Sequence, residues 1–223
     1  MSEVQETKIV SADATALGVF GLSLITFVAS SQKLGWTVGS VYLIPWSMFL
    51  GSIAQLWAAA IDYKRNSYFG AIVLGAFGLF WMAVAMIWGI QNGWFGEVAK
   101  ATADLRQFGY ACFGFLIFCV FITITAFEAN KVFGAIMVLI LVLLSTLGVQ
   151  LLLIGAPTEG PAAVIVDDAT KACAKTLGTI AGWSEFAISI LGFYAAGAIF
   201  LNTFFGRTIL PLGKPMGWIK KGA

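Results

Sequence analysis

Long apolar runs, each close to the length of a bilayer crossing, alternate along the chain with short polar segments. A hydrocarbon core of about 30 Å takes about 20 helical residues to cross. The pattern predicts helices over Ala16–Ser31, Val41–Ile61, Tyr68–Ile90, Phe108–Phe127, Val132–Ile154 and Ser184–Phe205. The expected fold class is all-α integral membrane, with six transmembrane helices. Residues 1–15 then form an N-terminal tail, 16–206 the membrane domain and 207–223 a C-terminal tail. Six crossings return the chain to the side on which it began.

The segments between spans are unequal. Asp62 to Ser67 and Glu128 to Lys131 are tight links, whereas Gln91 to Gln107 and Gly155 to Thr176 are long, the latter holding Pro157, Gly160 and Pro161. The terminal side carries Lys8, Lys64, Arg65, Lys131, Arg207, Lys214, Lys220 and Lys221, against Lys33, Lys100, Arg106, Lys171 and Lys175 opposite. Basic residues near span ends favour the cytoplasm, so both termini are expected there. A faint repeat runs through the first, third and fifth spans, which open with Leu17-Gly18, Phe69-Gly70-Ala71-Ile72 and Phe133-Gly134-Ala135-Ile136. A threefold hairpin pseudo-repeat would set these three spans around an axis along the membrane normal.

Composition narrows the chemistry. The chain is 60% apolar and 11% charged, with a mean hydropathy of +0.91, and about 25% charge is usual in soluble domains. A formal charge of +2 gives no reason to expect nucleic acid. The opening residues Ser2 to Lys8 are polar, with no basic n-region, so no cleaved signal is expected. With no histidine and three cysteines, neither a metal site nor a cofactor is expected. Cys112 and Cys119 share one apolar helix face and suit a core, while Cys173 falls in a predicted polar loop. Motifs for nucleotide binding, nucleophilic catalysis and zinc hydrolysis are missing, which excludes primary active transport within the chain and argues against an enzyme.

Small residues within the spans, namely Gly51, Ala54 and Ala58, Gly75 and Gly78, and Gly192 and Ala196, suit close helix packing. Polar side chains there are Ser23, Thr26, Ser52, Gln55, Thr123, Thr125, Ser145, Thr146, Glu185, Tyr194 and Asn202. Hydroxyls can bond to their own helix, but Gln55 and Asn202 do so less readily and are candidates for interhelical bonds or for substrate contact. Glu185 is the one carboxylate in a predicted span. It is a candidate proton carrier, although its place in the first turn of the predicted sixth helix, just after Trp183, better suits an acid facing water at the interface.

From about Thr15 to Gly213 the sequence resembles the acetate uptake transporter family, the SatP/YaaH-type succinate–acetate permeases. The matching segments are Gly51-Ser52-Ile53-Ala54-Gln55 through Asp62-Tyr63-Lys64, Phe69-Gly70, Phe80-Trp81, Ala181-Gly182-Trp183 and, most specifically, Phe205-Gly206-Arg207-Thr208-Ile209-Leu210-Pro211-Leu212-Gly213. Tyr194 and Asn202 fall on the family's tyrosine and asparagine. The family's opening signature, Asn-Pro-Ala-Pro-Leu-Gly-Leu, stands here as Asp13-Ala14-Thr15-Ala16-Leu17-Gly18-Val19. Both prolines are lost, and Asp13 would repel an anion.

The resemblance implies a six-helix protomer with its own path for acetate or similar short-chain carboxylates, succinate included. It also implies a homo-hexamer in the lipid bilayer of the cell inner (plasma) membrane. It further implies a midway constriction, on Leu22, Phe77 and Ile140, and Gln55, Asn202 and Tyr194 as polar pathway residues. The three constriction positions lie four, seven and six residues beyond the helix-opening glycines, hence within about 5 Å of one another in depth at 1.5 Å per residue. A scaffold or sensor that kept the fold and lost conduction is the alternative from another class.

Overall fold

The computed structural model describes residues 12–157, 159 and 163–219. Lys8, Gly160, Pro161, Lys220 and Lys221, all used above, lie outside them. Among the described residues six helices are long and apolar enough to cross a membrane: α1 (Thr15–Lys33), α2 (Leu43–Lys64), α3 (Tyr68–Gln91), α5 (Arg106–Ala129), α6 (Lys131–Ile154) and α7 (Asp168–Phe205). A short helix, α4 (Glu97–Thr102), interrupts the link between α3 and α5. The chain is therefore a multi-pass, all-α protein.

Local chemistry sets several boundaries. Asn130 leaves α5 in an extended conformation and its side chain accepts a 2.8 Å hydrogen bond from the Phe133 N–H, opening α6 with almost no loop. Asp167 caps α7 by accepting from the Thr170 N–H and hydroxyl. Gly206, at φ +62°, ends α7 in the left-handed conformation that glycine adopts without steric cost.

The largest departure from the predicted elements is α7, which begins at Asp168 and not at Ser184. Its first four turns, rich in Lys, Thr and Ala, have too little hydropathy to read as a span. They are helical because a capped N-terminus joins small residues that pack: Ala174 and Ala181 are buried, and Gly178 lies against the Gln150 amide of α6. At 38 residues α7 is about 57 Å long, well over one bilayer core. Two assignments change with it. Glu185 is not in a first turn but near the helix centre, and Cys173 is an exposed helical thiol, not a loop residue. Cys112 and Cys119 are fully buried.

In α2 the residues Ser47–Ala54 form π-helix, flanked by α-helical Leu43–Trp46 and Gln55–Lys64. The widened turn directs the Leu50 carbonyl at Gly21 of α1, so close that a β-carbon at Gly21 would collide with it. The approach of α1 and α2 thus depends on a missing side chain. Gly192 of α7 plays the same part against the Ser23 hydroxyl.

Neighbouring helices pack in a closed circuit. α2 lies between α1 and α3, α7 between α1 and α6, and α5 along α6. The circuit closes between α3 and α5, where few backbones approach and phenyl rings bridge instead: Phe80 and Phe115 are 4.7 Å apart by centroid, Phe77 and Phe115 6.1 Å. α1, α3 and α6 line the middle and alternate with α2, α5 and α7. Large apolar side chains such as Phe49, Trp57, Leu79, Phe121 and Phe204 face outward. Such a surface suits hydrocarbon, where packing of small residues has to hold helices together.

Both described ends lie at the same end of the bundle. Arg65, in the α2–α3 link, pairs with Asp13 at 3.0 Å. The C-terminal segment runs beneath the α5–α6 link, with Val132 donating to the Leu212 carbonyl and Met216 to that of Phe127.

Replacing Gly21 by Ala sets a methyl group against backbone and is expected to cost about 1–3 kcal/mol, as overpacking of a filled interior does. A β-carbon at Gly197 meets nothing within 4 Å. Thermal unfolding of the detergent-solubilised protein should show a lower midpoint for Gly21→Ala and an unchanged one for Gly197→Ala.

Candidate functional site

On the terminal side, α1, α3 and α6 enclose a cavity of about 50 Å³. Thr15, Val19 and Leu22 line it from α1, Val73 and Phe77 are among its α3 residues, and Ile136 and Ile140 among those of α6. Leu22, Phe77 and Ile140 are the deepest of these on their helices and are each buried. The structure thus brings the three constriction candidates onto one cavity. One turn further along α3 and α6, at Phe80, Trp81, Leu143 and Leu144, a second and larger cavity of about 430 Å³ begins. It continues towards the opposite side along Trp88, Gln91, Gln150 and Ile154.

The polar equipment of the two cavities differs. The larger holds Lys33, the last residue of α1, and Glu185 of α7, joined at 2.8 Å. Glu185 is 2% exposed and Lys33 16%. The smaller is apolar apart from Thr15. Behind it lies a charged knot: the Thr15 hydroxyl donates to Asp62 at 3.5 Å, the Thr15 N–H to Asp13 at 2.9 Å, and Arg65 lies 3.0 Å from Asp13 and 3.9 Å from Asp62. Asp62 is fully buried, against Gly70, where any side chain would displace it.

The opening segment therefore divides. Val19 lines the small cavity, and Gly18 lets α1 seat on Leu74 and Ala58. Leu17 is 42% exposed on the outer face. Asp13 is ion-paired and not a bare anion at the mouth. Burial by itself would raise its carboxyl, but hydrogen bonds from Thr15 and the Arg65 guanidinium outweigh that and hold it below its ordinary value. Since the folded value is the lower one, this anchor contributes at neutral pH and is lost as pH falls through that value.

Gln55, Tyr194 and Asn202 line neither cavity. Gln55 is fully buried and donates to the Gly51 carbonyl at 2.6 Å, within the π-helical turn, and its carbonyl oxygen has no partner among the described residues. Tyr194 donates to the Pro211 carbonyl at 2.7 Å. Asn202 accepts from the Ile209 and Leu210 N–H groups and donates to the Leu210 carbonyl. The last two fasten the Arg207–Gly213 segment to α7. Lys33, Asp62 and Thr15 were not singled out from sequence. Lys33 was counted among link charges, and the available signal was its position directly at the end of an apolar run.

A sequence profile of the GPR1/FUN34/yaaH family matches residues 2–213. The chain belongs to that family. Among its relatives, the succinate-acetate/proton symporter SatP of Escherichia coli K12 is 24% identical over 204 residues, 91% of this chain and 96% of that one. An uncharacterized protein of Methanothermobacter thermautotrophicus is 24% identical over 215 residues, 93% of this chain and 96% of that protein. The solved structure of the bacterial acetate channel SatP has the same fold, with a TM-score of 0.75 over 92% of this chain and all of that one, at 20% identity. SatP is thus named as a transporter or channel, in line with a chain that lacks catalytic motifs.

Asn202→Ala removes a clamp of three hydrogen bonds, and leaving such donors and acceptors unpaired costs about 1–3 kcal/mol each where they are buried. Trypsin should cut at Lys214 markedly faster in this variant than in the parent protein, with the membrane helices intact on the same gel.

Proposed function

We propose that this protein is a plasma or inner-membrane transporter through which acetate and similar short-chain carboxylates, succinate among them, move along the axis bounded by α1, α3 and α6. The observation that carries the reading is that the buried apolar Leu22, Phe77 and Ile140 line one small cavity, one turn short of a larger one that holds the Lys33–Glu185 pair; we read them as an apolar ring. An apolar constriction sheds water easily and stops ions that need full hydration. A short acid offers it a methyl or methylene body. What the SatP relatives are named for agrees with such a path.

The orientation we propose has both termini in the cytoplasm, from the excess of basic residues on the terminal side. The alternation of α1, α3 and α6 with α2, α5 and α7 is what a threefold hairpin repeat would produce, and supports one. Assembly as a hexamer is the accompanying proposal. The apolar outer face of α5, with Ile117, Phe118 and Phe121 exposed, supports it. Gln55, Tyr194 and Asn202 hold the framework, and Glu185 is the candidate for coupling flux to protons.

Uptake of labelled acetate into proteoliposomes, with and without a proton gradient, tests the reading. Flux should exceed that of empty liposomes, and its absence from folded protein would favour a non-conducting scaffold. Leu22→Ala is expected to raise flux several-fold and to admit longer acids. Phe77→Tyr adds a hydroxyl to the ring and should change the ranking of acetate, propionate and lactate in competition; an unchanged ranking counts against the ring. Glu185→Gln should abolish any dependence of uptake on the proton gradient, and an unaltered pH profile would remove Glu185 from the mechanism.

A further inference from the structure

Lys33 and Glu185 meet inside the larger cavity, and they are the only charged residues among those lining it in the described structure. Three amides, Gln32, Gln91 and Gln150, share the lining, and none of them makes a side-chain hydrogen bond among the described residues. Trp81 is buried on the same wall with its indole N–H unpartnered. The remaining wall is apolar. Other ionisable groups nearby are the Cys112 thiol of α5, within electrostatic reach of Lys33, and the Asp104–Arg106 pair beside Leu105, closed upon itself at 2.6 Å.

Stability does not explain the pair. A buried ion pair contributes little over well-packed apolar residues of the same volume, since desolvation offsets the attraction. Its position on the wall of a cavity gives it a different meaning. Glu185 presents to Lys33 the same functional group that a carboxylate substrate would present. An ammonium has three N–H donors on a flexible stem, so it can receive a second carboxylate before releasing the first. Lys33 also ends α1, where the helix dipole favours a cation whichever anion is bound.

We propose that Lys33 is the carboxylate-docking residue of this cavity and Glu185 its resident competitor, so that an entering monocarboxylate exchanges with Glu185 on the Lys33 ammonium in the cavity beyond the ring. The inference rests on the transport reading above and names the step that admits the anion. The displaced Glu185 carboxylate finds donors in the cavity amides. No covalent bond changes. Competition keeps affinity low, which passage requires, because a substrate held tightly by an unopposed cation would not leave.

The test measures acetate concentration dependence of uptake in proteoliposomes of the full chain. It is paired with tryptophan fluorescence of the detergent-solubilised protein titrated with sodium acetate at constant ionic strength, since Trp81 and Trp88 line the cavity. Glu185→Gln frees Lys33 and should lower the KM for acetate and the acetate midpoint in fluorescence several-fold. Lys33→Gln should raise both several-fold or abolish saturation. The exchange variant Lys33→Glu/Glu185→Lys keeps an ion pair and therefore the packing, but moves the cation to α7. It should fold, as judged by size-exclusion chromatography, without recovering the parent KM. A parent KM in either single variant, or its recovery in the exchange variant, would overturn the proposal and leave the pair as a structural strut. Absence of acetate flux in the parent protein would instead defeat the transport reading, while the fluorescence midpoints would still support or overturn docking at Lys33.

Discussion

Hydrocarbon offers no hydrogen bonds, so every backbone N–H and C=O at membrane depth has to be answered within the chain. That constraint makes the six spans helical and leaves packing as the force that holds them together. Apolar side chains gain nothing by leaving lipid for another helix. Contact has to come from closeness, and closeness from missing side chains. Gly21 against the Leu50 carbonyl, Gly18 against Ala58 and Leu74, and Gly192 against Ser23 are the points at which the circuit of helices is drawn tight. Where glycines are lacking, between α3 and α5, the seam is looser and phenyl rings span it.

The same constraint decides how much was legible in the sequence. Hydropathy marks a crossing, so all six spans were visible, and most of their boundaries fell within a few residues of those observed. It says little about helix that continues beyond the apolar run, which is why the first turns of α7 read as a loop and Glu185 as an interfacial acid. A π-helical turn leaves no signature in periodicity over eight residues, so Ser47–Ala54 read as ordinary helix. Leu22, Phe77 and Ile140 came from the family resemblance, and their counts from the helix-opening glycines agree with a shared depth, because helices of like geometry convert residue number into depth. Tyr194 and Asn202 are different. Their spacing was legible, but their partners lie in a segment whose course only the folded chain reveals.

The two cavities are built to different rules. Towards the terminal side, charge is present but withheld: Arg65 pairs with Asp13 and lies within 3.9 Å of Asp62, behind a wall that shows the axis little besides hydrocarbon and the Thr15 hydroxyl. On the far side an ion pair, Lys33 with Glu185, stands on the cavity wall itself. A carboxylate crossing between them would pass from an electrostatic environment to one governed by size and apolarity, and the ring marks the change.

The C-terminal segment bears on how the molecule is made. Glu128 accepts hydrogen bonds from the N–H groups of Gly217, Trp218 and Ile219, and Trp218 covers Phe127 at 5.4 Å between rings. These residues leave the ribosome after all six spans, so the floor beneath the α5–α6 link is laid last. Until Gly217, Trp218 and Ile219 have followed them, the Glu128 carboxylate lacks these three donors. The segment Gly217–Ile219 thus acts as a molecular seal, and the terminal-side face takes its finished form only after the helices it covers have been made.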